Sequence, residues 1–178
     1  GEKLLHALQQ SFPYLPIIAE DLGVITPDVV ELRDKFGLPG MRVLHFAFAE
    51  GESNLFLPHH YIPNTIAYTG THDNDTTLGW WSTLSDDEKS LAQQYLKSDG
   101  RDIQWDMMRA LSGSVANTVI FPMQDILGLT GEHRMNFPGH PAGNWEWRFS
   151  WAQIKREHAQ ELARMSAEYE RLPYSIHP

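Results

Sequence analysis

The residues best suited to chemistry lie in one short stretch, residues 66–77, with the sequence IAYTGTHDNDTT. A β-branched and aromatic run that ends in glycine predicts a buried strand. Directly after it come four polar side chains: His72, Asp73, Asn74 and Asp75. They cannot enter the core unpaired without a cost of several kcal/mol, and parallel sheets carry their sites at the carboxyl ends of strands. The stretch therefore predicts a functional site, with an Asx-rich turn that caps the next helix as the alternative.

An acidic pair, Glu20-Asp21, follows another short apolar run at residues 17–19. If the two strands are parallel members of one sheet, Glu20 and Asp73 project from the same rim. Paired carboxylates that face one substrate suit glycosidic bond cleavage, with one as proton donor and the other as nucleophile or charge stabiliser. The alternative is that Glu20-Asp21 is a solvated loop pair and Asp73 a helix cap.

The polar cluster at residues 72–75 could instead ligate zinc or manganese, since imidazole and carboxylates suit these ions. Consecutive residues rarely all reach one ion, and no second His-x-Asp cluster supports a metal site. We therefore predict no metal and no cofactor. No G-x-G-x-x-G or P-loop pattern follows a strand, and no G-x-S-x-G elbow exists, which argues against nucleotide binding and a serine hydrolase.

Composition limits the remaining classes of function. The 178 residues carry a formal net charge of −9 and no cysteine, which argues against nucleic acid as a partner and excludes disulfides and a thiol nucleophile. No apolar run approaches the roughly 20 residues of a membrane span, and no signal peptide is visible, so we expect a cytoplasmic protein that does not contact membranes. Six tryptophans and six tyrosines suit stacking on the apolar faces of a neutral carbohydrate.

The apolar and polar patterns predict strands that alternate with helices. We expect short buried strands at residues 17–19, 41–48, 66–68 and 119–121, with Glu50 and Glu52 in a polar loop after the second. Helices are predicted at residues 1–10, 26–36, 85–96, 102–111 and 151–172. This order predicts an α/β fold with a parallel sheet. Four strands make roughly half of an eight-stranded barrel, which typically needs about 250 residues; a doubly wound sheet is the alternative.

Several motifs resemble the 4-α-glucanotransferases, also called amylomaltases or disproportionating enzymes. They are IAEDLG at residues 18–23, GMRVL at 40–44, YTGTHDNDT at 68–76, QDILG at 124–128, RMNFPG at 134–139 and GNWEWR at 143–148. The resemblance runs from about residue 17 to residue 148. Separate motifs in the same order as in the family are more specific than any one of them.

The resemblance implies a retaining, glycosidase-type enzyme that transfers α-1,4-glucan segments between maltooligosaccharides through a covalent glycosyl-enzyme intermediate. It implies Glu20 as general acid/base and Asp73 as the carboxylate that stabilises the oxocarbenium-like transition state. The residues expected to bind substrate are His72, Asn136, Asp75 and Arg42.

The aspartate nucleophile of the family lies on an earlier strand, and no motif here matches it. A smaller departure is His45, in a strand where the family pattern has Gln. The resemblance thus implies the C-terminal half of a (β/α)8 TIM-type barrel, about strands five to eight with loop insertions, with residues 1–178 as a single partial domain.

The expected partners are maltooligosaccharides or other α-1,4-glucans and the missing N-terminal part of the same enzyme. Without that part we expect an inactive chain, because acid and stabiliser alone cannot form the intermediate. The alternatives are a non-catalytic α-glucan-binding or interaction module and an α-glucan hydrolase.

Overall fold

The computed structural model describes residues 1–49 and 54–172. This part of the chain has an α/β fold around a small parallel sheet, whose strands are β1 (Gly40–Val43), β2 (Thr65–Tyr68) and β3 (Thr118–Ile120) in that spatial order. Met41 pairs with Ile66, and Ile66 with Thr118, so the three strands run in one direction and end at one edge. Glu50 and Glu52, predicted to lie in a polar loop, fall outside the described residues.

The helices mostly follow the predicted pattern. They are α1 (Glu2–Ser11), α2 (Pro27–Lys35), α3 (Thr77–Thr83), α4 (Asp86–Leu96), α5 (Ile103–Ser112), α6 (Met123–Ile126) and α7 (Arg156–Glu168). Ser85 and Glu88 form the predicted capping box at the start of α4, with Ser85 N donating to Glu88 Oε2 at 2.8 Å. The last helix is shorter than predicted at both ends: a separate 3₁₀ turn, Trp151–Gln153, precedes it, and it ends at Glu168. The short helices α3 and α6 were not predicted.

Two of the strand predictions were wrong. Residues 17–19 form no regular strand; a backbone hydrogen bond from Ala19 N to Pro39 O (2.9 Å) joins them to the residue before β1. The strand predicted at residues 41–48 ends at Val43, and a 3₁₀ turn, Leu44–Phe48, follows. The chain turns inward there because His45 N donates to Thr69 O (3.1 Å) and the turn buries apolar side chains.

The core contains side chains of β2, the central strand, of the turn Leu44–Phe48 and of α5. Ala67 of β2 is fully buried, and α5 presents Ile103, Met107 and Leu111 on one face at intervals of four residues. Each of these larger apolar side chains stabilises the fold by about 1.5–3 kcal/mol when fully buried. Among the described residues, no helix is long and apolar enough to cross a membrane.

A buried polar network joins the end of β2 to the start of α3. Oδ2 of Asp125 accepts hydrogen bonds from Thr69 Oγ1 (2.6 Å) and Thr77 Oγ1 (2.7 Å), and Oδ1 accepts one from Thr77 N (2.7 Å). Burial raises the pKa of Asp125, and the hydrogen bonds from the two threonines oppose that rise. The network holds the loop between Thr69 and Thr77 at both ends.

His45 extends this network into the core. Its Nε2 lies 3.0 Å from Thr77 Oγ1, and its ring stacks on Trp80 with centroids 4.8 Å apart. Because the Thr77 hydroxyl donates to Asp125, it accepts from His45, which places the imidazole proton on Nε2. Burial lowers the pKa of His45 to about 3, so the ring is neutral at physiological pH.

Replacing Asp125 by Ala is expected to lower the free energy of unfolding by about 3 kcal/mol or more, because each buried donor left unsatisfied costs about 1–3 kcal/mol. Urea-induced unfolding measures the change. Asp99→Ala removes an exposed carboxylate whose contacts, within residues 1–49 and 54–172, are all with the nearby Arg101. This control should shift the unfolding free energy by less than about 0.5 kcal/mol, and equal losses in the two variants would contradict the role of Asp125.

His45 should make stability depend on pH. Its folded-state pKa of about 3 lies below the ordinary value of 6.5, so the unfolded chain takes up a proton first as the pH falls. The unfolding free energy should therefore decrease by up to about 1.4 kcal/mol per pH unit below pH 6.5. His45→Gln should remove this contribution to the dependence of the unfolding free energy on pH, measured by urea-induced unfolding at pH values above and below 6.5. An unchanged slope would refute the assignment.

Candidate functional site

A cleft of about 1090 Å³ opens at the carboxyl edge of the sheet. Its polar lining consists of Glu20, Thr71, His72, Asp73, Asn74, Asp75, Thr76, Gln124 and Arg134. Its larger apolar and aromatic lining side chains are Leu22, Val24, Met41, Phe46, Phe56, Tyr68, Ile120, Met135 and Trp145. Such a mixture can pack against the apolar faces of a ligand while a few polar groups orient it.

Glu20 enters the cleft from the irregular segment that is hydrogen-bonded to the start of β1. It is exposed, and among the described residues its carboxylate has no hydrogen-bond or ion-pair partner. The preceding residue, Ala19, is hydrogen-bonded to Pro39, and the following residue, Asp21, is buried against β1. The carboxylate is therefore free to contact a ligand although its backbone is anchored.

The four polar residues after β2 divide into two pairs with different roles. Asn74 closes the turn, since its Oδ1 accepts hydrogen bonds from both N and Oγ1 of Thr71 at 2.8 Å. Asp75 accepts a hydrogen bond from Thr76 N (2.7 Å) and fills the space over Gly79, where a Cβ would collide with its carboxylate. Asn74 therefore forms the Asx turn considered from the sequence, but the helix that follows is capped by Thr76, whose Oγ1 accepts a hydrogen bond from Gly79 N at 3.0 Å.

His72 and Asp73 are the exposed pair of this loop. About half of each side chain is accessible, and His72 Nε2 lies 3.4 Å from Asp73 Oδ1. Asp73 is held from the other side, because Asn136 Nδ2 donates to Asp73 Oδ1 (2.5 Å) and Arg134 Nη2 donates to the Asp73 carbonyl oxygen. Asn136, predicted to bind substrate, therefore contacts the carboxylate of Asp73 in this structure.

The loop that carries these two contacts also brings an aromatic ring into the cleft. Trp145 has a positive φ of 65°, and its backbone N donates to Met135 O (2.8 Å). Asn144 closes the loop by accepting a hydrogen bond from Phe137 N at 2.8 Å. The exposed ring of Trp145 lies 4.8 Å from that of His72, centroid to centroid. This geometry presents an aromatic face next to the exposed pair.

Arg42 lies apart from the other predicted site residues. Glu20, His72, Asp73 and Asp75 line the cleft, and Asn136 reaches it through Asp73. The guanidinium of Arg42 is instead paired with Asp21 at 3.2 Å, and it also donates to Met41 O.

Arg134 and Trp145 also line the cleft, a role that was not predicted for them although both lie in the motifs described above. A signal was present, since each stands within a few residues of Asn136 or follows a Gly-Asn step. The sequence does not show that the loop with Arg134 and Asn136 folds back onto Asp73.

A metal site was the other chemistry considered from the sequence. Within residues 1–49 and 54–172, no three His, Asp or Glu side chains are arranged to hold an ion.

The chain matches known proteins along most of its length. The 4-alpha-glucanotransferase family model matches residues 1–154. The 4-alpha-glucanotransferase of Thermus thermophilus is 48% identical over 97% of this chain, which covers 36% of that protein. A chloroplastic/amyloplastic 4-alpha-glucanotransferase of Arabidopsis thaliana is 53% identical over 83% of this chain and 26% of its own length.

Solved structures agree with these matches. Amylomaltase from Streptococcus agalactiae, in complex with acarbose, superposes with a TM-score of 0.89 at 33% identity, over 95% of this chain and 34% of that chain. Amylomaltase from Corynebacterium glutamicum, at 16% identity and a TM-score of 0.66 over 90% of this chain and 30% of its own, shares the fold. The chain thus spans roughly a third of the length of the proteins it matches, and it belongs to the 4-alpha-glucanotransferase family.

Proposed function

We propose that residues 1–178 are the carboxy-terminal part of the catalytic domain of a 4-α-glucanotransferase, about strands five to eight of its barrel. The observation that supports this most directly is the cleft, where Glu20 and Asp73 arrive from separate segments at the same edge of a parallel sheet. The chain covers only 36% and 34% of two of its relatives, which supports a partial domain, and we assign the remaining strands and the nucleophile to a preceding segment, as the sequence motifs imply. Its substrates are maltooligosaccharides and other α-1,4-glucans.

The first half of the reaction breaks one glycosidic bond. Glu20 gives its proton to the O4 oxygen of the leaving glucan as the bond between C1 and O4 breaks. A carboxylate of the preceding segment bonds to C1 and forms the glycosyl-enzyme intermediate. The leaving glucan departs with a free 4-hydroxyl group, and Glu20 is left as a carboxylate.

The second half reverses these roles. Glu20 takes the proton from the 4-hydroxyl of an acceptor glucan, whose oxygen attacks C1 and displaces the nucleophilic carboxylate. One α-1,4 bond has been broken and one formed, so no water, oxidant or cofactor is consumed. An α-glucan hydrolase would differ only in using water as the acceptor.

Asp73 acts in both halves by stabilising the positive charge that develops on the reacting sugar. The hydrogen bond from Asn136 and the contact of Arg134 with its backbone support this role, because a stabilising charge works best when it is already in place. His72 is placed to contact a sugar hydroxyl, and the neighbouring ring of Trp145 offers an apolar face for stacking.

In the complete enzyme, Glu20→Gln should reduce maltotriose disproportionation by at least about 100-fold, because the proton donor is lost while the shape is kept. The assay measures glucose and longer maltooligosaccharides. These 178 residues alone should be inactive, and activity should appear on mixing with the preceding segment. Activity of the chain alone, or of the Gln variant, would refute the assignment, and glucose without longer products would indicate the hydrolase.

Asp73→Asn should lower kcat by a factor that corresponds to a loss of several kcal/mol of transition-state stabilisation. KM should change little, because the carboxylate acts on charge that exists only in the transition state. Steady-state kinetics with maltotriose measure both constants. Asp87→Asn is the matched control, because Asp87 is an exposed carboxylate at the start of α4. A loss confined to KM would mean that Asp73 only binds substrate.

A further inference from the structure

We propose that Asp21, clamped by Arg33 and Arg42, is the positioning residue that sets the place of Glu20 in the cleft. This inference rests on the proposed function, in which Glu20 is the general acid/base. It assigns a role to the acidic neighbour of Glu20, which the reaction itself does not use. It also gives Arg42 a role other than the predicted contact with substrate.

The carboxylate of Asp21 is buried and receives three donors. Its side chain is 4% exposed, and Oδ2 accepts hydrogen bonds from Arg33 Nη1 (2.5 Å) and Arg42 Nη1 (3.2 Å). Its Oδ1 accepts one from Met41 N at 2.6 Å. The donors come from α2 and β1, so one side chain ties the segment that bears Glu20 to two elements of the fold.

The approach of Asp21 to β1 depends on a glycine. A Cβ at Gly40 would lie 2.5 Å from Asp21 Oδ2 and 2.9 Å from Oδ1. Only glycine therefore lets the carboxylate sit against the start of the strand. Here the side chain of Asp21 supplies the acceptor for Met41 N that a neighbouring strand would supply in a regular ladder.

Glu20 stands between two anchors on this edge. Ala19 N donates to Pro39 O at 2.9 Å, and Asp21 is held by its carboxylate. Asp21 is buried against β1, whereas its neighbour Glu20 is exposed and lines the cleft, so burial of the Asp21 side chain fixes the residue from which Glu20 reaches the cleft. The backbone of Glu20 cannot shift without breaking one of the two anchors.

The guanidinium groups hold Asp21 by charge and not by shape alone. Arg33 and Arg42 are both largely buried, with side-chain exposures of 10% and 19%, and neither lines the cleft. A pair of cations on one buried carboxylate forms charge-assisted hydrogen bonds, which are roughly twice as strong as neutral ones. Asp21→Asn keeps the size of the side chain and an oxygen for Met41 N but removes the charge that pairs with both arginines, of which Arg33 also pairs with Asp34 at 2.7 Å.

The test compares two donors in the complete enzyme. Maltotriose has a sugar leaving group that needs the proton of Glu20, whereas α-maltosyl fluoride releases fluoride without it. We expect Asp21→Asn to lower kcat for maltotriose by about 100-fold, the usual cost of misplacing a catalytic group by about 1 Å, with KM unchanged. The burst of fluoride release in the first turnover should stay close to that of the wild-type enzyme.

Arg42→Leu provides a second variant, because Arg33 still holds Asp21 and the fold is less at risk. It should show the same dependence on the donor with a smaller loss. Glu161→Gln is the matched control, since it disrupts an ion pair with Arg109 that joins α5 to α7 outside the cleft. Both donors should react with this control as with the wild-type enzyme.

Equal losses with the two donors in Asp21→Asn and Arg42→Leu, or no loss with maltotriose, would overturn the positioning role and leave Asp21 a structural residue. Glu20→Gln serves as the reference in the same assay. If Glu20→Gln shows the donor dependence and the Asp21 and Arg42 variants do not, only this inference fails. If Glu20→Gln itself lacks the dependence, the proposed function fails.

Discussion

The arrangement of the site depends on the hydrogen bonds that Thr69 and Thr77 donate to the buried carboxylate of Asp125. A carboxylate in the interior is costly unless donors surround it, and here Thr69 and Thr77 supply three hydrogen bonds. These threonines stand at the end of β2 and at the start of α3. The loop between them, which carries His72 and Asp73, is therefore fixed at both ends although its tip is exposed.

The same principle recurs around the cleft, where exposed functional groups are supported by buried or backbone contacts. Arg134 and Asn136 hold Asp73, and Asp21 holds the segment of Glu20 against β1. A group that must act on a transition state gains from being placed in advance, because its ordering then costs nothing during the reaction. The cleft thus combines accessible carboxylates with restrained backbones.

Much of the fold followed from local patterns. The capping box at Ser85 and Glu88 and the apolar face of α5 depend on residues that are close in sequence, so their structures could be predicted. The segment at residues 17–19 could not, because an apolar run predicts burial but not whether a ladder partner is available. The turn Leu44–Phe48 was likewise missed, since its hydrogen bond to Thr69 joins residues far apart in the chain.

The residue types and their order could be taken directly from the sequence: an acidic pair and a His-Asp-Asn-Asp run, each after an apolar run, and ordered motifs that resemble one family. These are statements about composition and spacing, which a linear chain carries without folding. Three-dimensional packing is what makes Asn74 close the turn and sets Asp75 over Gly79, while it leaves the side chains of His72 and Asp73 about half exposed in the cleft. It also decided that Arg42 pairs with Asp21. Contacts such as this ion pair could not be predicted from the sequence because they join residues that are far apart in the chain, and neighbouring residues do not specify how distant segments pack together.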